Sequence, residues 1–334
     1  MRRLTAGRSL LAAAAAAVAL VTGCSSGSAS SPAAFPEAGS TVEWIVPSAP
    51  GAANDILARV VAPAMQTDLG ANVRVVNKEG GSQVIGLDYA AKSDPDGHTL
   101  VYTNVPSILG RYLDPSKKAS FDRSSFTPIG SFASNSVVVG VNKNSPYTSI
   151  TQLIDAVKAA PGSVTVGTDS RAGDDHVNLR TMERDLGVDF NIVHYNSGAD
   201  KITALLSGEV DFAIGGVGSF YGPFKAGDVR LLSVVQDQPN SLFPEVPTMS
   251  GAGYAVAPMT NNFAVSVPAG TPAETVSRLS AALQAAANDP AVHDKLVSTG
   301  AEPVWVSGPD VAALWEQREK ALAPVIAELL QEQA

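Results

Sequence analysis

From residue 42 to residue 103 the sequence exchanges two hydrophobic rhythms in turn, and this exchange restricts the fold more than any other feature. Residues 42–46 are a short apolar run. Residues 54–69 carry Leu57, Val61 and Met65 at helical spacing, with Asn54 or Asp55 placed to cap the start and Gly70 the end. A second strand (72–77), a helix opening at 80–83 and ending near Lys92, a Pro-Asp-Gly turn and a third strand (98–103) follow. Such βαβαβ alternation predicts a parallel sheet with helices on both faces.

The middle of the chain repeats the theme. Strand-like 131–143 leads to a helix over 149–160 that stops at Pro161-Gly162. Strands at 164–168, 190–195, 210–216 and 229–235 are interleaved with helices near 175–186 and 199–208. A further strand and helix follow residue 259, and a helix from Pro309 has Val311, Leu314 and Trp315 to bury. The 334 residues, 45% hydrophobic, suffice for two cores. We expect an α/β protein of two βαβ domains: residues 41–140 plus 261–334, and residues 141–260. The tail packs back on the first domain, so the chain crosses twice, near 140 and 260, around a hinged cleft. Trp44, Trp305 and Trp315 read as core.

The first 40 residues follow other rules. Arg2, Arg3 and Arg8 precede an apolar, Ala-rich stretch too short for a permanent membrane span, and "VTGC" ends it. This resembles the lipobox of bacterial lipoproteins, which implies a signal peptide (1–23), lipid on Cys24, and a Ser/Ala/Pro/Gly tether (24–40). Cys24 is the only cysteine, so no disulfide holds the body and no other thiol can serve as nucleophile or metal ligand. Net charge is −9, and removing the three arginines of the leader leaves −12. That sign disfavours nucleic acid. An anionic ligand would be held by local donors against the general field.

Loops at the carboxyl ends of the expected strands (47–55, 103–107, 168–176, 195–198, 215–219) are rich in Gly, Ala, Ser, Asn and Thr. Small residues let backbone N–H groups approach a ligand. A carboxylate at an exposed helix N-terminus gains about 0.3–1 kcal/mol. The turn at 47–55 is therefore a candidate carboxylate holder through its backbone, and equally a plain tight connection; no Gly-Lys-Ser/Thr follows to make it a phosphate loop. In "TDSRAGDDH" (168–176), Thr168 and Ser170 are neutral donors. Arg171 is either a bidentate clamp or a surface partner of Asp174 or Asp175. That Asp pair caps the next helix, meets a ligand amine, or is solvated.

Support for catalysis is thin. His98, His176, His194 and His293 lack metal-ligand spacing. A dyad of His176 and Asp174 with Ser170 as nucleophile lacks the Gly-x-Ser-x-Gly elbow. His194 lies in an apolar strand and reads as a satisfied core residue. No cofactor and no metal is expected.

The ordered blocks "IVPSAPGAANDILAR", "VVNKEGGSQVIGLDYAAKSDPDGHTL", "LLSGEVDFAI", "FPEVPTMSGAGY", "VPAGTPAETVSRLSAAL" and "DPAVHDKLVSTGAEPV" resemble the extracytoplasmic solute-binding proteins of tripartite tricarboxylate transporters, the Bug family. The resemblance implies a two-lobed, type II periplasmic-binding-protein (Venus flytrap) fold with a small carboxylated solute in the cleft. The ligand would be a di- or tricarboxylate, an amino acid or an aromatic acid. It implies no enzymatic activity, a two-subunit membrane permease as partner, a monomer, and an extracytoplasmic location with membrane contact only through the lipid on Cys24. A ligand-presenting sensory subunit is the alternative, a secreted α/β hydrolase a remoter one.

Carried onto this chain, the implied ligand-binding residues are Ser48, Gly51, Ala52, Ala53, Asn54 and Asp55 in the first loop, and Asn104. Thr168, Ser170, Arg171 and Asp174 follow in the second-lobe loop, then Asn196, Gly215 and Gly216. The chain departs from the family pattern at Ala52-Ala53-Asn54, at Arg171 with Asp174-Asp175, and at Gly215 to Ser219. A methyl at position 52 narrows the pocket unless the local φ is negative.

Overall fold

The computed structural model describes residues 35–37, 39–169, 173–195 and 197–331. In chain order the elements are β1 (Thr41–Val46), α1 (Ala53–Leu69), β2 (Asn72–Asn77), α2 (Val84–Ala91), β3 (Thr99–Tyr102), α3 (Leu109–Tyr112), β4 (Phe126–Asn142) and α4 (Ile150–Ala159). Then come β5 (Thr165–Thr168), α5 (Asp174–Leu186), β6 (Asn191–His194), α6 (Gly198–Ser207), β7 (Phe212–Gly216), α7 (Val217–Lys225) and β8 (Val229–Val234). The chain ends with β9 (Thr260–Pro268), α8 (Ala273–Ala287), α9 (Pro290–Ser298), β10 (Glu302–Ser307) and α10 (Gly308–Gln331).

The strands run in the order β2-β1-β3-β9-β4-β7-β5-β6, with β8 and β10 also paired to β4. The outer pairs are parallel, β1 with β2 and β3, and β5 with β6 and β7. The centre is not: β9 is antiparallel to β3 and β4, and β4 to β7, β8 and β10. The parallel pairing expected of the first βαβαβ unit is present, and the antiparallel centre is added to it. The cause is β4, a 17-residue strand longer than the run visible in the sequence. Pro128 and Gly130 disguise its first half; the pairing register with β9 shifts between them, as a residue without an N–H requires.

Strand β4 also changes sheets. Residues up to Ser136 pair with β9, and Val137 to Asn142 pair with β7 or β8. The chain returns at β9, where Thr260 faces Ser136 and the Val137 amide donates to the Met259 carbonyl at 2.8 Å. Two lobes thus share two crossing segments.

Alternation along β1 fills both faces of the first lobe. Trp44 meets Tyr102 and Phe132 beneath α1 and α8, while Ile45 joins Val101, Phe126 and Trp315 on the other face. The second lobe repeats this arrangement, with Leu153, Val166 and Phe212 on one face and Val138, Leu205 and Phe220 on the other. Trp44 and Trp315 are fully buried, whereas Trp305 is half-buried over Gly130. Helix α10 buries Val311 and Trp315 in the first lobe, as expected, but its far half reaches the second: Leu322 and Ile326 share a cluster with Val177 of α5. None of the described helices is long and apolar enough to cross a membrane.

Candidate functional site

Helix α1 begins without a side-chain cap. Ala52 takes the N-cap position at φ −69° and ψ 161°, so the negative φ that its methyl needs is present. The N–H groups of Ala53, Asn54 and Asp55 find no acceptor among the described residues. They head a helix of 17 residues.

The loop that presents them is held from behind. Asp55 is buried and accepts from the Gly51 amide (2.8 Å), Arg59 Nε (3.0 Å) and Asn77 Nδ2 (2.9 Å). Asn77 Nδ2 also reaches the Ser48 carbonyl at 3.0 Å. Burial alone would raise the Asp55 carboxyl, but the hydrogen bonds from Arg59, Gly51 and Asn77 outweigh it and hold the pKa below the usual value. Gly51 has φ +82°, open to glycine at little cost. The Asp55 carboxylate thus faces inward, and the Gly51 amide is spent on it.

Ser48, Ala52, Ala53, Asn54 and Asn104 line a cavity of about 280 Å³ between the lobes. Gln83, Ser107, Arg111, Asn135, Asp174, Asn261 and Phe263 complete its wall. Ser48 Oγ, Asn104 Oδ1 and Asn261 Oδ1, on three of the lining residues, are buried without a hydrogen-bond partner among the described residues, which is costly for polar atoms. Asn104 Nδ2 donates to Asn54 Oδ1 at 3.0 Å, and Ser107 Oγ donates across the cleft to Asp174. A second, more apolar cavity of about 210 Å³ adjoins it at Ala53, Asn135 and Phe263, and extends past Ile56 to Gly300.

Several lining residues were invisible to sequence reasoning. Gln83 and Arg111 come from segments that read as helix and loop. Gln83 is delivered by a run of left-handed backbone from Gly80 through Gly81, Ser82 (φ 53°) and Gln83 (φ 81°); left-handed conformations at non-glycine residues are strained and gather at functional sites. Its signal was the Gly80-Gly81 pair. Asn135 and Asn261 belong to β4 and β9, close to the two crossings expected near 140 and 260, but nothing in the sequence singled them out as lining residues.

The second-lobe loop behaves differently from expectation. Asp169 is the effective cap of α5, accepting from the amides of Asp175 (3.3 Å) and His176 (3.2 Å). A Cβ on Gly173 would collide with that carboxylate. This helix tip is already occupied by the protein's own acid, which corrects the reading of Asp174 or Asp175 as its cap. Burial, then the charges of Asp175 and Asp174, push Asp169 up to about 7. Thr168 is buried, with its hydroxyl on the Asp169 carbonyl. Lys201, 1% exposed, binds Asp175 and the Ile214 carbonyl; burial raises the Asp175 carboxyl in spite of it.

Gly215 and Gly216 are closely packed. A side chain at 215 would strike Lys201, and one at 216 would strike Asn135, whose Oδ1 accepts the Gly218 amide at 3.3 Å. His176 is buried against His194, ring centroids 4.6 Å apart, and His194 Nδ1 lies 3.0 Å from the Asp169 carbonyl. Cys24, Ser170, Arg171 and Asn196 lie outside the described residues. Among the described residues no group of three His, Cys, Asp or Glu is placed to hold a metal.

Comparison with known proteins agrees with this architecture. The sequence model of the family described as "Tripartite tricarboxylate transporter family receptor" (TctC) matches residues 57–330. Protein BugT of Bordetella pertussis is 30% identical over 273 residues, 80% of this chain and 82% of its own. A TctC solute binding protein from Polaromonas, crystallised without ligand, superposes with a TM-score of 0.79 at 22% identity, covering 88% of this chain and 99% of that one. R. palustris Rpa4515 with adipate gives 0.69 at 26% identity, over 87% and 97%. With two lobes, two crossing strands and a polar cavity between them, this chain belongs to the tripartite tricarboxylate transporter receptors, the TctC or Bug family of extracytoplasmic solute-binding proteins.

Proposed function

We propose that this receptor captures a small carboxylated solute in the interlobe cavity, one carboxylate resting on the α1 N-terminus, and delivers it to a two-subunit membrane permease. One observation carries the reading. Ala53 and Asn54, whose amides find no acceptor among the described residues, line one cavity together with Ser48. Exposed donors at a helix tip, with its partial positive charge, suit a carboxylate. The adipate in Rpa4515 supports the same ligand chemistry. In this reading Arg171 meets that same carboxylate, and Thr168 and Asn196 are further ligand contacts.

The lobes comprise residues 41–140 with 261–334, and 141–260, and they close by bending where β4 and β9 change sheets. Lipid on Cys24, exposed after loss of residues 1–23, tethers a monomer to the outer face of the membrane through residues 24–40. The function is capture, with no chemical step.

Thermal unfolding measured across mono-, di- and tricarboxylates, amino acids and aromatic acids tests the reading. A true ligand at 100 times its Kd raises unfolding free energy by about 2.7 kcal/mol. A full panel without a shift contradicts it. Arg171→Ala weakens binding with the fold intact; unchanged affinity removes Arg171 from the site. Cys24→Ser releases the protein from membranes, and retention there refutes the anchor.

A further inference from the structure

The cavity carries opposite charges on opposite walls. Arg111, on α3 in the first lobe, has no carboxylate partner among the described residues; its nearest described polar contact is Gln83 Oε1, 3.5 Å from Nε. Among the described residues, Asp174, at the head of α5 in the second lobe, accepts a hydrogen bond from Ser107 Oγ and pairs with no cation. Behind Asp174 stand two further carboxyls, Asp169 and Asp175, and one ammonium, Lys201, already committed to Asp175. The first-lobe wall therefore offers donors: the α1 amides, Ser48 and Arg111. Among the described residues, the second-lobe wall offers a carboxylate, Asp174, with two more carboxyls behind it.

From this arrangement we infer that the solute is a zwitterion, an amino acid in the broad sense, with its carboxylate on the first lobe and its ammonium against Asp174. The inference rests on the carboxylate reading above and narrows its class. A dicarboxylate spanning the cleft sets its second carboxylate beside Asp174, where like charges repel at short range with little screening. An ammonium in that position makes a charge-assisted hydrogen bond instead. A ligand that neutralises one charge on each wall also joins the lobes.

The test is calorimetric titration of the purified protein with matched pairs differing only in the amine: L-glutamate and glutarate, L-aspartate and succinate, L-leucine and 4-methylpentanoate, and ω-amino acids with their deaminated counterparts. At least one amino acid is expected to bind tenfold or more tightly than its partner. Asp174→Asn, checked for native melting, is expected to remove about tenfold or more of that affinity while leaving the deaminated acid bound as before or better. A deaminated acid that binds as well as its amine, or an amine preference untouched by Asp174→Asn, overturns the inference and leaves the carboxylate reading standing. Failure of every compound in both series overturns both.

Discussion

The Asp55 carboxylate accepts the Gly51 amide at 2.8 Å, so the residue that looks most like a ligand contact in the first loop instead builds that loop from within. With Arg59 and Asn77 on the same carboxylate, it fixes residues 48–52 and leaves the Ala53 and Asn54 amides pointing free. Asp55→Asn keeps the shape but loses the charge. It is expected to cost about 1–3 kcal/mol of stability and to weaken ligand binding through the loosened loop. Urea unfolding and titration together check this; unchanged stability would show that the loop holds itself.

Gly215 has a packing duty. Any Cβ there meets the Lys201–Asp175 pair. Gly215→Ala is expected to destabilise by about 1–3 kcal/mol, the usual range for overpacking. Lys201→Met strands a buried carboxyl and is expected to cost about 3–5 kcal/mol, most of which returns in the double variant Lys201→Met with Asp175→Leu. Denaturant midpoints of the three proteins decide it; additive losses in the double variant would contradict the pairing.

The Asp169 carboxyl gives the unliganded protein a pH signature. Its folded pKa, about 7, lies above the unfolded value near 3.8. Below both values it is protonated in either state, and its contribution is fully present. As pH rises between them the unfolded state ionises first, so stability falls, and the loss is complete above about 7. Asp175 is shifted the same way. Asp55 has the opposite sense, its contribution vanishing in acid as pH drops through its depressed value. Melting temperatures of the parent and Asp169→Asn from pH 4 to 8 are the check. The parent is expected to lose stability across this range more steeply than the variant; parallel curves would contradict the assignment.

The fold was legible where local patterns dominate. Helix α1 ends at Gly70 in the left-handed conformation, as its position after the last apolar residue suggests. The parallel outer strands follow from their spacing. The centre was not legible, because antiparallel pairing of β4 with β9 depends on contacts between residues more than a hundred positions apart. Helix α7 (VGSFYGPFK) was missed too, its Gly and Pro content reading as loop. At the site, the small-residue turn pointed correctly to the cavity-lining Ser48, Ala52, Ala53 and Asn54. The Asp55 carboxylate turns inward to Gly51, Arg59 and Asn77. Sequence places a residue in a loop, yet which way it turns is set by neighbours such as Asn77, Lys201 and Asn135, all distant in the chain.

A crystal structure of the receptor with any carboxylate that raises its melting temperature tests the central claim most directly. The account expects one carboxylate within hydrogen-bond distance, about 2.7–3.2 Å, of the Ala53 and Asn54 amides and Ser48 Oγ. A carboxylate bound elsewhere, with those amides facing only solvent, would contradict it.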